Sequence, residues 1–415
     1  MFKNCFLKYF PELAGLLVFI VYLNTMCPTI GEMDSGELAT VQATLSIAHP
    51  TGYPLFALLG YLFLKLPLPF ETIIRLNLLA SILSAATIII LIRTTKLIIE
   101  NLPALVDHKW KSFGLMVQTS NYSKILASIF PGFMLGFSLT FWLQSTRVEV
   151  YSLQMFLLSL IIYFSIRAYN SHNSIDSSSN KFWVWAFIFI GLGLANHLTT
   201  IFIVFPTIVL FFLKNRFKFQ NIRFMFYLFL ISFVVAVSFY LLMMLRASSN
   251  PPFKYGDPSN LISLFDHVTA QRYKGNMFQG IFSFKLQAEK FINLLQFNFA
   301  KQKWGEFSLS ILLGIAGIIF SFILLKQFNY YLFLILFFTL AISFNYNIYD
   351  INEYFLPAFY IICLCSGLCI LIISAILPKT ISVKLLIFFV SFVLIGSQIY
   401  GNYKFADKSN DYFYE

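Results

Sequence analysis

Apolar runs of about twenty residues recur from Gly15 to Ile399, separated by short polar segments. Within each run the hydrophobic residues are continuous rather than alternating. The pattern therefore fits helices that cross a ~30 Å hydrocarbon layer and not the strands of a β-barrel. Spans are predicted at residues 12–30, 73–99, 124–143, 150–169, 182–196, 198–213, 224–245, 308–325, 330–346, 355–376 and 383–401. The segment 182–213 is the weakest division, since it also reads as one long kinked span. Merging it would leave ten spans and reverse everything downstream.

Charge chooses between these topologies. With eleven spans and a cytoplasmic N-terminus, one side holds sixteen bases and four acids, and the other thirteen bases and fourteen acids. The positive-inside rule fits that division. It leaves two long stretches outside, 31–72 and 247–307. In the first, Tyr53–Leu66 is apolar but short for a span and is ended by Pro67 and Pro69, so it is predicted to lie at the interface. The Ser/Asn-rich run 171–180 reads as a cytoplasmic linker. Lys3 and Lys8 precede the first apolar run, and no small-x-small cleavage site follows it. It is read as an uncleaved span, giving a membrane domain over 1–402 and a short outer tail over 403–415.

Composition agrees: 59% of residues are hydrophobic and 11% charged, against about a quarter charged in soluble domains. The net charge of +11 is spread between spans without the clustering that a nucleic-acid groove needs, so no nucleic-acid partner is expected. Cys5, Cys27, Cys363, Cys365 and Cys369 lie in or beside apolar runs, with neither zinc-ligand spacing nor a disulfide framework. Walker A, H-E-x-x-H and G-x-S-x-G motifs are absent. An ion gradient or an activated lipid-borne substrate is the energy source left.

In such a chain the ionisable residues near span ends carry the information. Gly31-Glu32-Met33-Asp34-Ser35-Gly36-Glu37 follows the first span, and Asp34 and Glu37 at i,i+3 share a helix face. The pair suits a general base with an acidic partner, or equally a helix N-cap with its capping box. His49-Pro50-Thr51-Gly52-Tyr53-Pro54 is a rigid turn whose histidine either orients the acids or is structural. Arg75 and Asn77 open the second span. Arg147 and Glu149 occupy a short outer turn, where they either pair with each other or serve a site. Arg147, His197 and Arg246 either surround an anionic headgroup or snorkel to the interface. Asp350 and Glu353 add two outer acids.

Several of these segments, in order, resemble the protein O-mannosyltransferase-like membrane family. They are Asp34-Ser35-Gly36-Glu37, the 49–54 turn (Thr51 stands where proline is usual), Arg75-Leu76-Asn77, Glu149-Val150-Tyr151-Ser152-Leu153 and Gly193 to Thr199. Leu245-Arg246-Ala247, Tyr255-Gly256-Asp257-Pro258 and Glu353-Tyr354-Phe355-Leu356-Pro357 continue the likeness over nearly the whole chain. The family is similar to the GT-C glycosyltransferases. The resemblance implies an all-α, polytopic GT-C-like bundle of about eleven spans, with two long extracytoplasmic loops bearing interfacial helices.

It further implies an inverting glycosyltransferase in a membrane such as the bacterial inner membrane. A hexose, mannose above others, would pass from a polyprenyl-phosphate sugar to an acceptor hydroxyl outside, typically protein Ser or Thr. By that likeness Asp34 is the base with Glu37 beside it. His49, Tyr53, Arg75, Arg147, Glu149, His197 and Arg246 would contact substrate, and neither metal nor cofactor is expected. The segment from Tyr400 to Asn410 resembles the point where longer relatives enter an outer soluble domain. That leaves either a minimal membrane core or a domain supplied by another chain. The rival readings are a transporter or flippase of a lipid-linked sugar, a glycan polymerase or ligase independent of Asp34, and an inactive scaffold.

Overall fold

The computed structural model describes residues 2–112, 120–171, 177–299, 308–378 and 380–412. Much of the linker 171–180 and the basic residue Lys379 lie outside them. Every predicted span falls on a helix: α1 (Phe2–Asn24), then α4 (Thr72–Leu105) after the short α2 (Ser35–Thr44) and α3 (Pro54–Phe63). The pair α5 (Asn121–Gly136) and α6 (Leu139–Ser145) follows, then α7 (Val150–Asn170), α8 (Ser177–Asn196), α9 (Ile201–Asn215) and α10 (Phe219–Ser248). In the second half come α11 (Leu261–Val268), α12 (Ile281–Asn298), α13 (Leu309–Leu324), α14 (Phe328–Phe344), α15 (Leu356–Ile376) and α16 (Ile381–Ala406). Among the described residues, six helices are long and apolar enough to cross a membrane, or seven if α5 and α6 form one broken span. The chain is a multi-pass integral membrane protein of all-α class.

The doubtful stretch 182–213 is two antiparallel helices, of which the segment Leu198–Asn215 is among those long and apolar enough to cross a membrane. Asn196 at the end of α8 donates to Gln154 Oε1 (3.0 Å) at the start of α7, while Lys214 at the end of α9 donates to Ser171 O (2.6 Å) just beyond the other end of α7. The chain thus rises along α8, turns at His197 and descends along α9. Contacts at both faces carry this alternation onward: Lys326 N–H meets Leu105 O on one face (3.1 Å), and Lys408 N–H meets Thr25 O on the other (3.1 Å).

Two spans depart from their sequence outlines. The first ends at Asn24 rather than at residue 30, because Thr25 folds its hydroxyl back onto Val21 O and Cys27 N–H pairs with Thr146 O at 3.1 Å. The third is bent by 71° between α5 and α6. A break inside a bilayer frees carbonyls, and each one left unpaired costs about 1–3 kcal/mol. Here buried side chains take all three: Gln398 donates to Met134 O, Tyr22 to Gly136 O and Asn402 to Phe137 O, at 2.7–2.8 Å. Asn298 Oδ1 accepts Thr140 N–H at the start of α6 (2.6 Å), so the bend is built by α1, α12 and α16 together.

Small residues bring spans close. A Cβ at Gly317 would lie 1.9 Å from Cys365 O, so α13 and α15 touch backbone to backbone there. Cys363, Cys365 and Cys369 are buried free thiols that act as small packing residues on α15. The long loop between α10 and α13 is held down over the same end of the bundle as α2 and α3. Tyr255 N–H bonds Ile47 O (3.0 Å), Phe278 N–H bonds Asn345 O (2.7 Å), and the buried His267 ring lies 3.1 Å from Ala48 O.

Candidate active site

The loops and span ends on that face enclose a cavity of about 590 Å³. Its acidic wall is set by α2 and the turn before α3. Ser35 Oγ accepts Gly31 N–H at 3.2 Å and closes the turn that leads into α2. Asp34 occupies the N-cap position yet makes no side-chain capping bond, so its carboxylate stays available to the cavity. Glu37 does not complete a capping box either. Its Oε1 accepts His49 N–H at 2.7 Å and lies 3.0 Å from His49 Nδ1, which docks the 49–54 turn onto α2. Gly52 adopts φ +86°, and a Cβ there would fall 2.4 Å from Met243 Sδ, so this turn requires glycine.

The Glu37 contact assigns the imidazole proton to Nδ1. Nε2 then faces the Tyr53 hydroxyl at 2.9 Å and Asp34 Oδ2 at 3.7 Å. Tyr53 stacks on His197 with ring centroids 5.6 Å apart, and the His197 ring also packs against Tyr151 and Tyr354. Asp34, Glu37 and His49 each offer a ligand atom within 4.8 Å of the others. The Glu37–His49 bond occupies Glu37 Oε1 and His49 Nδ1, which leaves Glu37 Oε2 and His49 Nε2 as the second ligand atom of each.

Burial and charge sort these groups. Burial raises the Asp34 carboxyl above its ordinary range despite the nearby His49 charge. Burial also works against Glu37, but the His49 hydrogen bond outweighs it and holds Glu37 low. His49 is raised, because its bond to Glu37 and the surrounding carboxylates overcome desolvation. Burial lifts Glu149 to about 8 against the pull of Arg147, so it is largely neutral at pH 7. The same cause drops His197 to about 3, leaving it an uncharged ring.

The site residues expected from sequence separate into two sets. Asp34, Glu37, His49, Tyr53, Arg147, Glu149 and His197 all line the cavity. Arg75 and Arg246 do not. The Arg75 guanidinium donates to Leu64 O and Leu66 O beyond the end of α3. Arg246 donates to Leu45 O (2.8 Å) and Thr44 O (3.1 Å) at the end of α2. Both arginines satisfy helix-terminal carbonyls, so the expected headgroup cluster of Arg147, His197 and Arg246 does not form. Arg147 is 8% exposed and ion-paired not with Glu149 but with Glu32, at 3.9 Å. Its Nε–H is buried without a partner.

The cavity also uses residues that the sequence reading gave no role. Gln144, Asp350, Glu353 and Tyr354 also line it, together with Tyr255, Tyr273 and Lys274 from the long loop. Gln144 carried a usable signal, as a polar side chain immediately after the predicted span 124–143. The lining also has apolar members, among them Leu198, Ile201, Phe202 and Ile342 from α9, α14 and the turn before α9.

Comparison with known proteins agrees with this architecture. Residues 34–223 match the protein O-mannosyl-transferase TMEM260 N-terminal domain. Protein O-mannosyl-transferase tmem260 of Dictyostelium discoideum is 24% identical over 95% of this chain and 50% of its own length. Protein O-mannosyl-transferase TMEM260 of Mus musculus is 30% identical over 35% of this chain and 18% of its own. The chain thus spans about half the length of the Dictyostelium relative and less of the mouse one. The crystal structure of ArnT from Cupriavidus metallidurans, bound to undecaprenyl phosphate, superposes with a TM-score of 0.58 at 14% identity. The match covers 91% of this chain and 62% of that one. That likeness shows the fold, a GT-C-like membrane bundle. With the matched domain and the named relatives beside it, the chain is similar to the O-mannosyltransferase-like membrane proteins over most of its length.

Proposed function

We propose that the chain is an inverting membrane glycosyltransferase that moves a hexose, mannose foremost, from a polyprenyl-phosphate sugar to the hydroxyl of a protein Ser or Thr. The observation that carries the reading is Asp34. It is a carboxylate free of capping bonds at the wall of a cavity lined by both ionisable and apolar side chains, which suits a donor with a sugar phosphate head and a lipid tail. In the predicted topology the face opposite the cavity carries sixteen bases with only four acids, which by the positive-inside rule supports an extracytoplasmic site.

In this reaction Asp34 takes the proton of the acceptor hydroxyl, whose oxygen attacks the anomeric carbon. The bond from that carbon to the phosphate oxygen breaks on the opposite side, and its electron pair leaves with the lipid phosphate. A single displacement inverts the anomeric centre. Arg147 meets the leaving charge through its unpartnered Nε–H. Glu37 positions His49, and through it Tyr53, rather than acting as base, because its oxygen is already committed. The proposed step uses no metal.

The test is transfer itself. Purified protein in lipid nanodiscs, given a mannosyl-phosphoryl polyprenol, a Ser/Thr peptide and EDTA, should add one hexose to the peptide. The linkage should have the anomer opposite to the donor's. Retention of configuration would overturn the single displacement, and no hexose on any hydroxyl acceptor, with or without added divalent cations, would overturn the transferase reading.

Glu149 adds a pH dependence. Its carboxyl is neutral below about 8 and ionises above, placing a second charge beside Arg147 where the phosphate departs. Transfer is expected to fall as pH rises through that value. In Glu149→Gln, which stays neutral, this alkaline limb should vanish. Rate profiles of both proteins decide it, and a limb unchanged in the variant removes Glu149 from the account.

A further inference from the structure

The buried polar atoms of the cavity that lack partners differ in kind. Arg147 Nε is a donor and the Thr51 hydroxyl can serve either way, whereas Gln144 Oε1 and, as a carboxylate, Glu353 Oε2 are acceptors. Gln144 is 2% exposed, and its amide is oriented by donating to Glu353 Oε1 at 2.9 Å, which leaves its own oxygen and the second carboxylate oxygen unpaired. Both residues line the cavity beside Arg147 and Glu149. Buried acceptors without a donor cost about 1–3 kcal/mol each, so the arrangement calls for a ligand that brings hydrogen-bond donors.

Resting on the transferase reading, the parts of the reactants can be taken in turn. A polyprenyl tail carries no donor, and an ionised phosphodiester carries only acceptors. The acceptor hydroxyl has one proton, which goes to Asp34. The hexose alone brings several hydroxyls on neighbouring carbons. We propose that Gln144 and Glu353 form the sugar-recognition subsite of this cavity, accepting hydrogen bonds from hydroxyls of the transferred hexose. Tyr151 and Tyr354, with rings 6.2 Å apart, line the same cavity. The division of labour is then spatial: Arg147 for the phosphate, Asp34 for the incoming hydroxyl, and the Gln144–Glu353 pair for the identity of the sugar.

Binding to nanodisc-held protein, followed by native mass spectrometry, tests this with two probes, mannosyl-phosphoryl polyprenol and the same polyprenyl phosphate without sugar. The wild-type protein is expected to prefer the sugar-bearing lipid. Gln144→Leu and Glu353→Gln should each cut that preference about tenfold, the loss expected for one neutral hydrogen bond, while binding of the bare lipid phosphate stays unchanged. Retained bare-lipid binding also shows that the variants are folded. An unchanged preference in both variants, or equal binding of the two lipids by wild type, overturns the subsite and leaves the transferase reading standing. If wild type binds neither lipid, the transferase reading falls and takes the subsite with it.

Discussion

Replacing Asp34 with asparagine should lower sugar transfer by about 10²–10⁴-fold while leaving donor binding within a few-fold of wild type. Asparagine keeps the size and polarity of the side chain but cannot accept the hydroxyl proton. Because Asp34 makes no capping bond, the substitution removes no bond from α2. Single-turnover transfer in nanodiscs is the direct measurement. Glycan mass spectrometry of exported proteins from cells carrying the variant at equal expression would show the same loss as missing hexose-modified Ser and Thr peptides. If Glu37→Gln is silent for proton transfer but weakens folding, the two carboxylates are sorted as proposed. If Asp34→Asn transfers at the wild-type rate, another base operates and the mechanism fails.

Arg147→Gln is the second large effect. The guanidinium is nearly buried, faces Glu32 at 3.9 Å, and is the cationic side chain closest to Glu149 and Glu353 in charge terms. Losing one preorganised partner of a leaving oxyanion costs about 10²–10³-fold in rate. Removing the cation also leaves the neighbouring carboxyls without their counter-charge, so some fall in thermal stability should accompany it. The two contributions separate in the bare-lipid binding assay. A variant that folds and binds polyprenyl phosphate as tightly as wild type, yet transfers at full rate, would exclude Arg147 from the departure of the phosphate.

Continuous apolar runs located the long helices, and the charge bias favoured the division of 182–213 that the two helices there show, because both report on the bilayer, which acts on every residue alike. What the pattern could not register was use at the scale of single bonds. Arg75, Arg147 and Arg246 look equivalent in sequence, each a lone arginine at a span end. Two of them complete helix termini and one faces the cavity, a difference set by which carbonyls the fold leaves open nearby. Asp34 and Glu37 likewise fit a capping box by spacing. His49, twelve residues beyond Glu37, competes for that carboxylate and wins it. Tyr255, Tyr273 and Lys274 lie in an irregular loop with no periodic signal, and backbone pairings such as Ile47 with Tyr255 and Asn345 with Phe278 bring them over the site.

The cavity walls come from places far apart in the chain, and this bears on the order of synthesis. A nascent chain that has emerged only to Ser248 already holds Asp34, Glu37, His49 and Arg147, but none of Tyr255, Lys274, Asp350, Glu353 or Tyr354. During that interval a half-built cleft with several ionisable groups stands open at the membrane edge, the situation in which an insertion intermediate is most exposed to quality-control proteases. The last four spans therefore do more than complete a bundle. Their arrival ends the vulnerable stage of biogenesis.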